Sequence, residues 1–228
     1  ADIPAATQLW TTDWVVRFMV DNSLGRYWIE RNPDSPLKEK LAYLATSKTG
    51  ELPIVNERIN PEDITFLDPC MGSGHILVYA FDVLMEIYKE CGYSERDAAL
   101  SIVQNNLYGL DIDDRAYQLS YFAVMMKARS YNRRALTSNI SNNLAAIQES
   151  NTIDHFTYEG VTNNKEMTQL GEYLVQTFKD AKEIGSLVTV KEADYKELEH
   201  YVLDLMNSGA GDIFALDWQM TVLPLMVQ

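Results

Sequence analysis

An open α/β fold built on a parallel sheet is what this sequence predicts, and three observations carry the prediction. Between Ile64 and Ile147, short apolar runs alternate with helical patterns in the order strand, helix, helix, strand, helix, strand, the alternation that right-handed crossovers require. The first run ends in an acid and a glycine turn, Leu67-Asp68-Pro69-Cys70-Met71-Gly72-Ser73-Gly74, which leads directly into an apolar helix. The second run ends in another acid, Asp111. The carboxyl ends of strands are where open α/β sheets bind ligands.

The elements follow in order. Thr11-Thr12-Asp13 precedes Trp14-Val15-Val16-Arg17-Phe18-Met19-Val20, a cap signal before an apolar-periodic run, and predicts a helix from about Asp13 to Arg31. Asn32-Pro33-Asp34-Ser35-Pro36 interrupts it, residues 37–45 suit a short helix, and residues 47–61 read as loop. Ile64 to Leu67 is the first strand, short and apolar. His75 to Cys91 is a strongly apolar helix stopped by Gly92 at the C′ position. Ser94, with Asp97 three residues on, caps a helix to about Asn106. Leu107 to Leu110 is the second strand, and Asp113 or Asp114 caps a helix reaching about Tyr131. Asn143 to Ile147 is the third strand. Beyond Asn151 the pattern changes: residues 167–184 and 193–206 look helical and acidic, Gly209-Ala210-Gly211 is a turn, and Trp218 to Val227 begins another apolar stretch.

Composition narrows the class. The chain has 228 residues, 46% of them hydrophobic, and a net charge of −14, enough for one sizeable core or one domain with an appendage. Residues 1–150 hold 20 acids and 14 Lys/Arg, a net of −6, and residues 151–228 hold 13 acids and 5 Lys, a net of −8. Such a surface repels a phosphate backbone. Lys127, Arg129, Arg133 and Arg134 form the one basic cluster, where a helix C-terminus favours cations. No apolar run approaches the roughly 20 residues that span a bilayer, and no signal peptide is expected. Cys70 and Cys91 belong to no CxxC pair, so no structural metal site is expected, and a reduced, cytoplasmic setting is the default.

The two acids give the turn its chemistry. Gly72 and Gly74 allow positive φ and close backbone approach, and the following helix N-terminus favours an anionic group. A nicotinamide-dinucleotide site needs the same features. Leu77, however, stands where the third small residue of G-x-G-x-x-G belongs, and Asp68 would oppose a pyrophosphate. A carboxylate there suits a ligand with a free amino group, such as S-adenosylmethionine. An acid at the second strand end accepts hydrogen bonds from ribose hydroxyls. Asp111 lies 37 residues past Gly74, further than the roughly 20 of the dinucleotide pattern, and the extra helix from Ser94 accounts for the difference. Ile112 follows it and could pack on an adenine face. Turn formation by Asp68 and helix capping by Asp111 to Asp114 are the purely structural alternatives. The sequence contains no P-loop and no nucleophile elbow, and His75, His155 and His200 form no ligand spacing. Cys70 reads as a small filler of the turn.

Asp68-Pro69-Cys70-Met71-Gly72-Ser73-Gly74-His75 closely resembles motif I of the amino-methylating DNA methyltransferases, D-P-x-x-G-S-G. His75, together with Asn106-Leu107-Tyr108-Gly109-Leu110-Asp111-Ile112-Asp113, narrows the likeness to the large adenine-N6 enzymes of restriction-modification (types IIG and I) and phage defence. Thr7-Gln8-Leu9-Trp10-Thr11-Thr12-Asp13-Trp14-Val15-Val16, with Asn22-Ser23-Leu24-Gly25-Arg26-Tyr27-Trp28, is most similar to the BREX, or phage-growth-limitation, adenine methyltransferases. That family usually has Thr-Pro at Thr11-Thr12. The resemblance covers residues 6–152 and implies a partial Rossmann-like, class I S-adenosylmethionine-dependent fold with helical extensions at both ends. It implies cofactor contacts at Trp10, Thr11 and Thr12, at Asp68, Pro69, Cys70, Gly72, Ser73, Gly74 and His75, at Asp111 and Ile112, and at Glu149, which falls where such enzymes place an acid or amide near the adenine amino group.

The same enzymes carry [DN]-P-P-[YFW] at the end of their fourth strand, and no Pro-Pro pair occurs in this chain. The expectation is therefore a cofactor-binding fragment with no catalytic residues of its own: a helical segment over residues 1–62, an S-adenosylmethionine-binding core over 63–152 and an acidic helical insertion over 153–228. Double-stranded DNA would be bound through regions outside it, and no membrane is expected as a partner. An RNA or protein methyltransferase and a non-catalytic interaction module are the alternatives. The family places the fourth strand beside the first, so Ile64 to Leu67 is expected to present an edge covered by the C-terminal helices or by a second chain.

Overall fold

The structure, a computed structural model, describes residues 11–137, 140–151, 169, 172–173 and 175–189. The chain divides into two compact units, one of Ala1–Leu110 with Arg115–Leu144 and one of Asp111–Asp114 with Ala145–Gln228. The described strands form a sheet of order β1-β2-β3: β1 is Phe66–Asp68, β2 is Leu107–Asp111 and β3 is Asn143–Ala146. β1 and β2 are parallel, with Phe66 opposite Leu107 and Asp68 opposite Gly109.

In the first unit the N-terminal helical run is α1, Asp13–Val20, a π turn over Asp21–Gly25, and α2, Arg26–Arg31. It was predicted as one uninterrupted helix. The π turn coincides with side chains that compete for helix carbonyls: Asn22 Nδ2 donates to Phe18 O at 2.8 Å and Ser23 Oγ to Met19 O at 2.7 Å, the back-bonding that bends helices. Thr12 occupies the N-cap of α1, but its side chain makes no capping bond. Residues 37–45 do not form the expected helix. Only a 3-10 turn over Pro36–Glu39 is present, started by Ser35 Oγ accepting from Leu37 N–H.

The organising element is α3, His75–Glu90. Leu77, Phe81, Leu84, Ile87 and Tyr88 on it are fully buried and join Val20, Leu24, Trp28 and Ile29 in one core. Polar ties fasten the N-terminal helices to it. Tyr79 Oη donates to Asp21 Oδ1 at 2.9 Å, and Trp28 Nε1 and Ser35 Oγ donate to Glu90 Oε2 at 3.3 and 2.6 Å. Burial, followed by the bond to Asp21, pushes the Tyr79 phenol up to about 12. Gly92 ends α3 at φ 86°, as its C′ position predicts.

α4, Glu95–Ser101, begins at Ser94, whose Oγ accepts from Asp97 N–H at 3.2 Å. The predicted helix to Asn106 closes as a π turn over Ile102–Asn106. Asn106 is fully buried and acts as a latch: its Nδ2 donates to Pro61 O and Ile64 O, both at 2.7 Å, and its Oδ1 accepts from Tyr88 Oη at 2.9 Å. This fixes the entry to β1 against the entry to β2. α5, Asp114–Tyr131, buries Ala116, Ser120, Val124 and Ala128, and Lys127 near its end pairs with Asp82 at 2.6 Å.

In the second unit the predicted helix over 167–184 is broken by a turn at 178–180, and α6 covers Ala181–Ile184. Asp180, at φ 53°, has left the helical region. The expectations for residues 193–206, 209–211 and 218–227 lie outside the described residues. No helix among the described residues is long and apolar enough to cross a membrane.

Candidate cofactor site

The glycine turn is built by its own residues. Asp68, buried at the end of β1, accepts through Oδ1 from Cys70 N–H at 3.1 Å. Met71 is 3% exposed; its N–H donates to Leu110 O at 2.9 Å, and its carbonyl accepts from Gly74 N–H at 2.8 Å. Gly72 and Gly74 lie at φ 53° and 83°, where side chains are disfavoured. A Cβ on Gly74 would also sit 2.5 Å from Ser120 Oγ and 3.0 Å from its Cα. Ser73 Oγ lies 2.8 Å from His75 Nδ1, at the first turn of α3. Cys70 is exposed rather than filling the turn.

Asp111 ends β2 and repeats the device of Asp68: its Oδ1 accepts from Asp113 N–H at 2.9 Å. Each acid thus forms the turn that follows its own strand. Ile112 is 48% exposed, an aliphatic side chain held out at a strand tip. Asp111 O accepts from Ile147 N–H at 2.7 Å. Asp114 accepts from Gln148 Nε2 at 2.8 Å and lies 3.1 Å from Lys182 Nζ. These two donors hold its carboxyl below the usual carboxylate range. Glu149 accepts from Lys182 N–H at 3.3 Å and from Asn151 Nδ2 at 3.4 Å, so it braces residues 180–182. Thr11 and Thr12 are exposed at the start of α1, and Trp10 lies outside the described residues.

Two contributors were not singled out from the sequence. Gly109, inside β2, has no room for a Cβ, which would meet Met71 Sδ at 2.6 Å and Leu77 Cδ1 at 2.9 Å. A glycine inside a strand is the signal that marks such close approach. Ser120 carries no comparable signal. A pocket of about 820 Å³ also opens in the first unit, lined among others by Phe18, Met19 and Tyr27 and by Phe66, Leu67 and Asp68 of β1. Among the described residues no cluster of His, Cys, Asp and Glu is arranged to hold a metal ion.

Residues 52–217 match the family model of the N-6 DNA Methylase. The chain belongs to this family. It is 40% identical to the adenine-specific methyltransferase BrxX of Escherichia coli O9:H4 (strain HS), over 93% of the chain and 20% of that protein. It is 41% identical to the adenine-specific methyltransferase PglX of Lacticaseibacillus casei (strain Zhang), over 86% of the chain and 17% of that protein. A shorter match, 42% identical over 26% of the chain and 6% of the relative, is to a putative type II restriction enzyme and methyltransferase, RM.MjaORFECS2P, of Methanocaldococcus jannaschii (strain ATCC 43067 / DSM 2661 / JAL-1 / JCM 10045 / NBRC 100440). The chain thus spans about a fifth of the length of the first two relatives it matches. Family membership agrees with the mixed helix and strand order and with the acid-glycine turn after β1.

Proposed function

We propose that this chain is the S-adenosylmethionine-binding part of an enzyme that methylates adenine N6 in double-stranded DNA, in a phage-defence or restriction-modification system. The observation that carries the reading is the turn after β1: an acid at the strand end, then two glycines at positive φ, one with no space for a Cβ, opening a long helix. The relatives' names supply adenine as the target.

In this reading Asp68 meets the ammonium of the cofactor, and residues 72–75 let the backbone approach its methionine portion. Asp111 accepts from the ribose hydroxyls, and Ile112 packs on the adenine. Residues 10–12 enclose the methionine end. Residues 1–62 are a helical segment preceding a cofactor core of 63–152, and 153–228 form an acidic insertion. When bound, S-adenosylmethionine supplies a methyl group carried on a sulfonium. Transfer to a flipped adenine rests chiefly on positioning, and the residues of the [DN]-P-P-[YFW] motif that would hold the base are absent from this sequence. The DNA is held by regions other than this acidic chain, so the chain alone binds cofactor without transferring methyl.

Calorimetry with S-adenosylmethionine tests the assignment. The Asp111→Ala variant is expected to bind about 10- to 100-fold more weakly than the unaltered chain, the loss of hydrogen bonds to a charged acceptor. Equal affinity would remove Asp111 from the site.

A further inference from the structure

In the second unit, residues 175–182 are fastened to residues 149–151 and to Asp114 by a dense set of bonds. Lys182 contributes its ammonium to Asp114 and its N–H to Glu149. Asn151 and Asp180 exchange two hydrogen bonds, both 2.9 Å, from Asn151 Nδ2 to Asp180 Oδ1 and from Asp180 N–H to Asn151 Oδ1. Ser150 donates through its N–H to Phe178 O at 3.1 Å and through Oγ to Val175 O at 2.5 Å. Phe178 and Ala181 are buried beneath.

This bracing holds two unusual backbone positions. Asp180 is left-handed at φ 53°, ψ 30°, and Gly185 lies at φ 63°, ψ −140°, a region open essentially to glycine alone. Strained residues persist where their surroundings over-determine them, and they concentrate at ligand clamps. Gly185 brings the backbone against Ile112: a Cβ there would lie 3.6 Å from Ile112 Cγ2. Three aliphatic side chains are held in solvent around this contact, Ile112 at 48%, Ile184 at 46% and Leu187 at 80% exposure. Ile112 follows directly on Asp111 at the end of β2, and Ile184 and Leu187 belong to the bend that carries Gly185.

We infer that the bend Ile184–Leu187 joins Ile112 in forming the apolar surface that receives the adenine ring of the cofactor. The inference rests on the reading of Asp111 as the ribose acceptor. A nucleoside has a hydroxyl edge and a flat, largely apolar base, and a carboxylate followed by an aliphatic ledge offers a partner to each in turn. Asp180, Lys182 and Glu183 flank the ledge with charge, which suits a small aromatic ligand better than a broad apolar contact with another protein.

Leu187→Asp and Ile184→Asp test this in the 228-residue chain, since both side chains are exposed and their loss leaves the core intact. Calorimetry with S-adenosylhomocysteine is expected to show each variant binding at least roughly tenfold more weakly, with the unfolding temperature of the free chain unchanged. The same ligand should slow hydrogen exchange at residues 184–188 of the unaltered chain. Binding undiminished in both variants, with no exchange protection, would overturn the inference and leave the cofactor reading standing. Undiminished binding together with a shift from dimer to monomer in sedimentation would overturn it in favour of a contact between copies. Failure of the unaltered chain to bind at all would bring down the cofactor reading, and the inference with it.

Discussion

A methyl group on Gly74 would collide with Ser120 while forcing an L-residue to φ 83°. Gly74→Ala is therefore expected to cost about 1–3 kcal/mol in chemical denaturation, the scale of a strained backbone position, and to abolish cofactor binding. Ser120 itself is fully buried, and its Oγ has no hydrogen-bond partner among the described residues. Ser120→Ala should be neutral to stabilising within about 1 kcal/mol, because it removes a hydroxyl that was desolvated without compensation. Combined with Gly74→Ala it should recover part of the loss, a coupling that a double-mutant cycle reads directly. Gly72 and Gly74 were legible because glycines between a strand and a helix announce a tight turn. Ser120 was not: its role depends on a contact 46 residues away, and a serine inside a helix looks like any polar surface position.

At the level of elements, the Asn106 latch ties β1, β2 and α3 through three hydrogen bonds from one buried amide. Asn106→Leu leaves the Pro61 and Ile64 carbonyls and the Tyr88 hydroxyl without that partner. A loss of about 2–4 kcal/mol in urea unfolding is expected, the sum of one or two unsatisfied buried groups. The strands themselves were readable from short apolar runs, the first two ending in acids: the second and third fall within a residue of their predicted bounds, and the first starts two residues later and ends one residue later than predicted. Both π turns were invisible, because hydrophobic periodicity registers the buried face and not whether a carbonyl is reached from four or five residues on. Residues 167–184 carried a helical pattern, yet Asp180 breaks it. The partner that holds Asp180, Asn151, lies 29 residues away, beyond any local signal. The acid-glycine turn and Asp111 were visible because their chemistry is local. The bracing of Glu149 by Lys182 was not, because it depends on residues from separate stretches coming together.

Across the whole molecule, two phenols set an alkaline limit. Burial pushes both Tyr79 and Tyr88 up to about 12 from an ordinary value of 10. The fold therefore favours their neutral forms, and the stability they contribute is complete below pH 10 and is lost as pH rises through about 12. The unfolding temperature should fall over that window, and less steeply in Tyr79→Phe. Phenolate absorbance should show both groups ionising late. A second global property concerns β1, which no strand pairs on its other side among the described residues. Edges of this kind pair with further strands, and self-association through β1 is expected. Sedimentation at increasing concentration should reveal a dimer that Thr65→Lys, at an exposed position immediately before β1, dissociates. A single species at all concentrations would show that this edge does not join two chains.

The reciprocal pair between Asn151 and Asp180 has a consequence for how the gene can change. It holds Asn151 and Asp180 together, so the chain between these two residues is closed at that pair. The entropy of closing a chain segment depends only weakly on its length, about 0.6 kcal/mol for each doubling. Insertions there, whether acquired by recombination or spliced in as a reporter domain, load the Asn151–Asp180 clasp lightly and leave the tip of β2 where it is.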